Sequence, residues 1–113
     1  LMDVSRAVSV ALLAEFDAWL GDHGSSDREV VVAIVKRSSG RATVGLPELQ
    51  EIATCHGWVD TQTQRIDDGR YAIRFVPRRS RSTWGPKNRA MARRLVAEGR
   101  MTEQGLATLP PDL

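Results

Sequence analysis

The chain has 113 residues, of which 42% are hydrophobic and 27% charged, so it fits one folded domain and not a largely disordered protein. Its longest apolar run, residues 30–35, is far shorter than the roughly 18 to 20 residues that cross a bilayer, so no membrane span is expected. The single cysteine cannot form an internal disulfide, and the start lacks the pattern of a secretory signal. We therefore expect a cytoplasmic protein.

The formal net charge of +2 conceals an uneven distribution. Residues 1–64 carry five Lys/Arg against nine Asp/Glu, whereas residues 65–100 carry eleven against three. Charge separated in this way bears on partners more than on fold. Two interpretations stay open: the arginines form a binding surface, or they only keep the domain solvated.

The first third of the chain predicts a helix followed by a strand. Ser9 is a suitable cap for a helix that ends near Leu20 and has one apolar face. The polar residues 21–27 then form a loop. Residues 29–36 are a β-branched run without alternation, typical of a strand buried on both faces, and residues 37–40 supply its turn.

The middle of the chain predicts a second helix and a β-hairpin. Pro47 suits the first turn of a helix that ends near residues 55–57. The chain alternates from Trp58 to Ile66, and Asp68-Gly69 is a strong signal for a hairpin turn. The returning strand runs from Arg70 to Val76 and ends at Pro77.

Two further helices are predicted after the hairpin. Gly85 can serve as N-cap and Pro86 as first residue of a third helix, which Gly99 ends. Thr102 can cap a short final helix. The expected fold class is α+β, a small antiparallel-rich three-stranded sheet with a β-hairpin covered by three to four helices. We expect a flexible N-terminus over residues 1–8, a single domain over 9–109 and a tail over 110–113.

Four ordered motifs between about residues 10 and 107 resemble the YdeI/OmpD-associated family of bacterial proteins. They are the segments Cys55–Asp60, Arg74–Arg79, Ser82–Asn88 and Ala97–Thr102. The chain departs from the family at His56, Val76 and Gly85-Pro86, none of which removes a charged or tryptophan position. The resemblance implies a role in bacteriocin protection and envelope stress, and it brings no established catalytic residues.

The sharpest local feature is a basic stretch that ends in a tryptophan. Arginine recognises phosphate and carboxylate in a planar, bidentate way, and a tryptophan face can stack a ring or take a cation. A helix start supplies free backbone N–H groups for an anion. The sequence therefore predicts an anion-binding site formed by Arg78, Arg79, Arg81, Trp84, Lys87 and Asn88. The alternative is that Trp84 fills the core while an arginine forms an internal ion pair.

Three residues of the hairpin are expected to support this site. Trp58 and Asp60 alternate to the same face of a strand, and Arg74 lies on the returning strand. A partly buried carboxylate needs a partner, so we expect Asp60 to pair with an arginine that follows Pro77. A role for Asp60 as general base is the less favoured alternative, because no nucleophile or second carboxylate accompanies it.

Other chemistry has weaker support. Cys55 is expected to be a small buried residue and not a nucleophile paired with His56. The two histidines show no metal-ligand spacing, so no metal or other cofactor is expected. The basic region 78–100 could track nucleic-acid phosphates, although the acidic N-terminal half argues against this.

We therefore expect a non-enzymatic, stress- or bacteriocin-protection-type protein that binds a small anionic ligand or an acidic protein surface. A nucleic-acid-binding module that uses residues 78–100 is the alternative, and an enzyme of unknown reaction is the third possibility. The sequence does not determine the oligomeric state.

Overall fold

The computed structural model describes residues 2–36, 44–79 and 83–113. The predicted turn at residues 37–40 lies outside these ranges. The elements, in chain order, are β1 (Val8–Ser9), α1 (Leu13–His23), β2 (Val30–Val35), α2 (Leu46–Cys55), β3 (Trp58–Asp67), β4 (Arg70–Pro77), α3 (Pro86–Ala97) and α4 (Glu103–Ala107). This is the predicted α+β class.

Within the described ranges the sheet has four strands in the order β1-β2-β4-β3, where the sequence predicts three. β1 is parallel to β2, and the β2–β4 and β4–β3 pairs are antiparallel. The missed strand, Val8–Ser9, is two residues long and pairs with Val32 and Ala33. Two residues are too few to show an alternating pattern in the sequence. They are recognised as a strand only from their backbone pairing with β2.

The first helix begins later than predicted. Ser9 belongs to β1, and Leu12 takes the N-cap position of α1. The Glu15 carboxylate accepts hydrogen bonds from the backbone N–H groups of Ala11 and Leu12, at 3.1 and 2.8 Å. Glu15 thus binds the N–H groups at and just before the N-cap, whereas the cap expected of Ser9 would accept from N–H groups inside the first turn.

The sheet has a helix-covered face and an opposite face. On the helix-covered face, Val32 and Ile73 belong to the main core together with Phe16 and Leu20 of α1. On the opposite face, Val31 belongs to a smaller cluster with Ala72 and Met2. β2 is thus buried on both faces, as its β-branched run predicts. The flexibility expected of residues 1–8 stays a prediction, although Met2 is buried here.

The helix boundaries after β2 follow the sequence signals closely. α2 has Pro47 in its first turn and ends at Cys55. α3 has Gly85 at the N-cap and begins at Pro86, as predicted. The predicted cap of α4 is also present, because Thr102 Oγ1 accepts a hydrogen bond from the backbone N–H of Gly105 at 3.1 Å. In the part of the chain that the structure describes, none of the helices is suited in length and apolar character to crossing a membrane.

Candidate functional site

A groove of about 660 Å³ lies beside the open ends of the β3–β4 hairpin. Arg74 and Val76 line it and alternate with Phe75, which packs against Phe16 of α1 with ring centroids 4.9 Å apart. The groove is therefore on the opposite face of the sheet. Four of its residues are arginines, and we call it the arginine groove: Arg28, Val59, Thr61, Arg74, Val76, Pro77, Arg78 and Arg79.

A β-bulge shapes one wall of the arginine groove. The pairing of β3 with β4 shifts by one residue between Asp60 and Gln62, which leaves Thr61 as the extra residue. Val59 and Thr61 both line the groove. Because they are two positions apart, ordinary alternation places both on one face of the strand, and the bulge adds to the local twist.

Arg74 is fixed in the wall by two neighbours. Its Nη2 and Nε atoms lie 3.0 and 3.3 Å from Glu29 Oε2, and its Nη1 donates to Thr61 Oγ1 at 3.3 Å. These contacts orient the guanidinium group. They also place one carboxylate against it, so Arg74 adds less net charge to the groove than an arginine without an acidic neighbour.

Arg78 is held between the backbone and a buried ring. Its backbone N–H donates to the carbonyl of Gly57 at 2.8 Å, and its Cζ atom lies 3.7 Å from the centroid of the Trp84 ring. Burial lowers the pKa of Arg78, and the negative charge of Asp60 partly opposes that effect. A bound anion would act in the same direction as Asp60, because it favours the charged guanidinium.

Trp84 is only 9% exposed, and the Arg78 guanidinium lies over its ring. Trp84 therefore combines two features. It is buried, as expected of a core residue, and it contacts Arg78, as expected of a residue near the binding site. The hypothesis that Trp84 stacks a ligand stays untested. Its observed position is that of a support beneath Arg78.

Trp58 and Asp60 share the helix-covered face, as their alternation predicts. Trp58 is buried in the main core, and its Nε1–H donates to the carbonyl of Gly24 at 3.3 Å. Asp60 accepts hydrogen bonds from Gln50 Nε2 at 3.3 Å to each carboxylate oxygen. The ion pair expected between Asp60 and an arginine after Pro77 stays a prediction; the charge of Asp60 does favour the charged form of Arg78, and Gln50 of α2 adds an amide donor.

The remaining predicted site residues fall in different places. Arg79 is exposed and lines the arginine groove. Lys87 and Asn88 lie in the first turn of α3 and are not among the described residues that line the groove. Arg81 lies outside the described ranges. Sequence reasoning missed Arg28, which precedes β2 and has no local motif that marks it.

Much of the positive charge of residues 65–100 is paired in three dimensions. Arg94 and Arg100 both contact Glu51 and Glu98, across the junction of α2 and α3. Arg89 contacts Asp112 at 3.2 Å. The solvent-exposed face of α3 therefore carries less unpaired positive charge than its sequence indicates.

The surroundings of Cys55 and His56 are those of buried structural residues. Burial raises the pKa of the Cys55 thiol, with the Arg100 charge in partial opposition, so the reactive thiolate is disfavoured. His56 is buried, and its Nε2 lies 2.7 Å from Asp17 Oδ1, a residue of α1. Within residues 2–36, 44–79 and 83–113, no three His, Cys, Asp or Glu side chains are grouped as metal ligands would be.

A domain of unknown function (DUF8412) matches residues 8–108 of the chain. The chain belongs to this family. The DUF8412 match begins in β1 and extends one residue past α4, so it includes every helix and strand and all residues of the arginine groove. Comparison with curated proteins and with solved structures finds no match.

Proposed function

We propose that this DUF8412 protein binds a small anionic ligand in the arginine groove and does not act as an enzyme. The observation that carries the proposal is the placement of four arginines around one concave surface, two of them already oriented by other residues. Arg74 is fixed by Glu29 and Thr61, and Arg78 by Trp84. Side chains ordered before binding lose less conformational entropy when the ligand arrives.

The chemistry of guanidinium groups supports phosphate or carboxylate as the bound group. Each guanidinium presents several N–H donors in a fixed plane, which suits bidentate contact with either oxyanion. The four arginines of the groove outnumber two nearby carboxylates, Glu29, which contacts Arg74, and Asp60, whose charge acts on Arg78. The balance of charge at the groove is therefore positive.

The alternatives have less support. Nucleic-acid binding through residues 78–100 would need a basic surface on α3, but Arg89 and Arg94 contact carboxylates. Catalysis would need an activated group, yet Cys55 is buried with a raised pKa and Asp60 accepts hydrogen bonds from Gln50. An acidic protein surface could offer the same carboxylates as a small ligand, and the groove favours the small ligand because it is concave.

Titration with inorganic phosphate or pyrophosphate tests the proposal, with amide chemical shifts in NMR as the readout. At constant ionic strength, saturable shifts should centre on residues 28, 59–61 and 74–79. Arg79→Ala should weaken binding about tenfold or more, because hydrogen bonds to charged groups contribute about 1.5–3 kcal/mol. Arg79 is exposed, so the variant should keep its fold.

Arg93→Ala is the matched control, because Arg93 is an exposed arginine of α3 outside the groove. It removes the same charge and should leave phosphate binding nearly unchanged. Equal losses in both variants would show that only net charge matters and would contradict a site at the groove. Absence of saturable shifts with either anion would contradict it as well.

The resemblance to YdeI/OmpD-associated proteins extends the proposal to a cytoplasmic role in bacterial stress or bacteriocin protection. In a bacterium that encodes this protein, deletion of the gene should increase killing by a bacteriocin. A gene copy with Arg93→Ala should restore survival, whereas a copy with Arg79→Ala should not. Unchanged survival of the deletion strain across a bacteriocin panel would count against this role and would leave the groove itself untested.

A further inference from the structure

The arginine groove is lined by apolar side chains as well as by arginines, and we call the apolar part its floor and the arginines its rim. Val59, Val76 and Pro77 come from the paired ends of β3 and β4 and are half-buried. Val59 lies directly opposite Val76 in the strand register. The floor is therefore part of the sheet, and its shape does not depend on a loop.

The size of the groove and its apolar floor both favour a ligand that has an organic part in addition to its anionic group. The volume of about 660 Å³ lies within the range of roughly 300–1,000 Å³ that is common for organic ligands. A single phosphate ion would occupy a small part of it and would leave the valines in contact with water. An apolar ligand body over these side chains would remove that surface from water, which is favourable.

The rim favours phosphate over carboxylate as the charged group. Arg28, Arg78 and Arg79 line the groove in addition to Arg74. A phosphate monoester carries close to two negative charges near neutral pH and presents three acceptor oxygens, so it can use several guanidinium groups at once. A carboxylate has one charge and two oxygens, which a single arginine can satisfy.

The contact between Arg78 and Trp84 is compatible with this use. The ring covers one face of the guanidinium, with Cζ 3.7 Å from the ring centroid. The N–H groups of a guanidinium point outward in its plane, so stacking and hydrogen bonding to an anion use different parts of the group. The ring thus fixes the plane in which Arg78 donates.

We propose that the ligand is an organic phosphate monoester, with its phosphate held by the arginines of the rim and its apolar body over Val59, Val76 and Pro77. This inference rests on the proposed anion-binding function and specifies the chemical class of the ligand.

A homologous series of ligands tests it: inorganic phosphate, then ethyl, butyl and hexyl phosphate, titrated at constant ionic strength with amide shifts in NMR. The dissociation constant should fall about two- to fourfold for each methylene that the floor covers, since a fully buried methylene contributes about fourfold. Hexanoate should bind more weakly than hexyl phosphate.

Val76→Thr supplies the matched variant, because it keeps the side-chain shape and makes the floor polar. It should reduce the gain in affinity per methylene along the series. Val35→Thr is its control: Val35 is also a half-buried strand valine, but it lies at the other end of β2, opposite Arg70. It should leave the whole series unchanged.

The outcomes separate this inference from the proposed function. If all phosphates bind at the groove with equal affinity, the apolar body is wrong and anion binding stands. If hexanoate binds as tightly as hexyl phosphate, the phosphate class is wrong. A gain per methylene that persists in Val76→Thr, or with shifts centred elsewhere, places the body outside the groove and overturns the inference. Absence of binding by every member overturns both proposals.

Discussion

Arg78 shows how one side chain can depend on three separate parts of the chain. Gly57 at the α2–β3 junction accepts a hydrogen bond from its backbone N–H, and Trp84 before α3 lies against its guanidinium. Asp60 on β3 contributes a favourable negative charge. The position of Arg78 therefore depends on how the domain packs. A substitution outside the groove that displaces one of these contacts should also displace Arg78 and weaken binding.

Gly57 offers a test of that dependence. Its φ of +79° is unfavourable for other residues, and an added Cβ would lie 2.9 Å from Gln104 O and from Thr108 Cγ2. Gly57→Ala should cost about 1–2 kcal/mol for the backbone conformation and about 1–3 kcal/mol more for overpacking against α4. Denaturant unfolding measures the free energy, and phosphate titration should show weaker binding because the carbonyl that Arg78 contacts is displaced.

Gly99→Ala is the control for the conformational part of this cost. Gly99 has a φ of +69°, but an added Cβ would meet nothing within 4 Å. It should lose only the backbone contribution, about 1–2 kcal/mol, and keep its affinity for phosphate. Equal losses of stability in the two variants would refute the predicted packing of α4 against Gly57.

At the scale of single residues, the kind of interaction that a side chain needs was easier to predict than the residue that supplies it. The sequence indicated that Arg78 and Trp84 belong near one another, and the structure places them in contact. It also indicated that Asp60 needs a partner, and the structure adds one that the sequence did not show, the Gln50 amide of α2. The requirement follows from burial of a polar group, whereas the identity of the partner depends on which helix packs beside the strand.

At the scale of elements, the hairpin and the helix ends after β2 follow local signals, while β1 and the bulge in β3 do not. Asp68-Gly69 joins β3 to β4 as predicted, and Pro86 begins α3. Turns and caps are encoded by a few neighbouring residues. β1 and the bulge at Thr61 arise from strand pairing, and the bulged residue Thr61 lines the groove.

The ion pairs of Glu98 at the C-terminal end of α3 provide a prediction at this scale. Glu98 contacts Arg94 and Arg100, which lower its pKa, although a carboxylate at the end of a helix is disfavoured by the helix dipole. The pKa of Glu98 is lowered because hydrogen bonds from Arg100 and Arg94 outweigh the opposing effect of burial. A group with a lowered folded pKa contributes stability above its unfolded pKa and loses that contribution as pH falls through the folded value.

Glu98→Gln should therefore lower the melting temperature slightly at neutral pH. The difference from the wild type should disappear as the pH falls below about 4 and should shrink in high salt, because Glu98 is exposed. A series of melting curves over pH and salt measures this. A variant that melts higher than the wild type at neutral pH would show that the dipole dominates.

At the scale of the whole molecule, the fold reduces the charge separation that the sequence displays. Glu29 and Glu51 come from the acidic part of the chain and contact Arg74, Arg94 and Arg100 from the basic part. Acidic and basic segments that are distant along the chain are neighbours in the structure. Positive charge stays in excess at the arginine groove, where four arginines line the surface, Glu29 contacts Arg74 and the charge of Asp60 acts on Arg78.

The sequence by itself determined the α+β class, the buried strand β2, the hairpin and the starts of the later helices, because these depend on periodicity, turn residues and caps within a few positions. It also indicated which region carries the candidate site. Only the tertiary structure decided that Arg28 joins Arg74, Arg78 and Arg79 around an apolar floor, and that Lys87 and Asn88 lie apart from it. The register of β3 and β4 and the face on which each side chain lies depend on contacts between segments far apart in the chain, which local sequence patterns do not record.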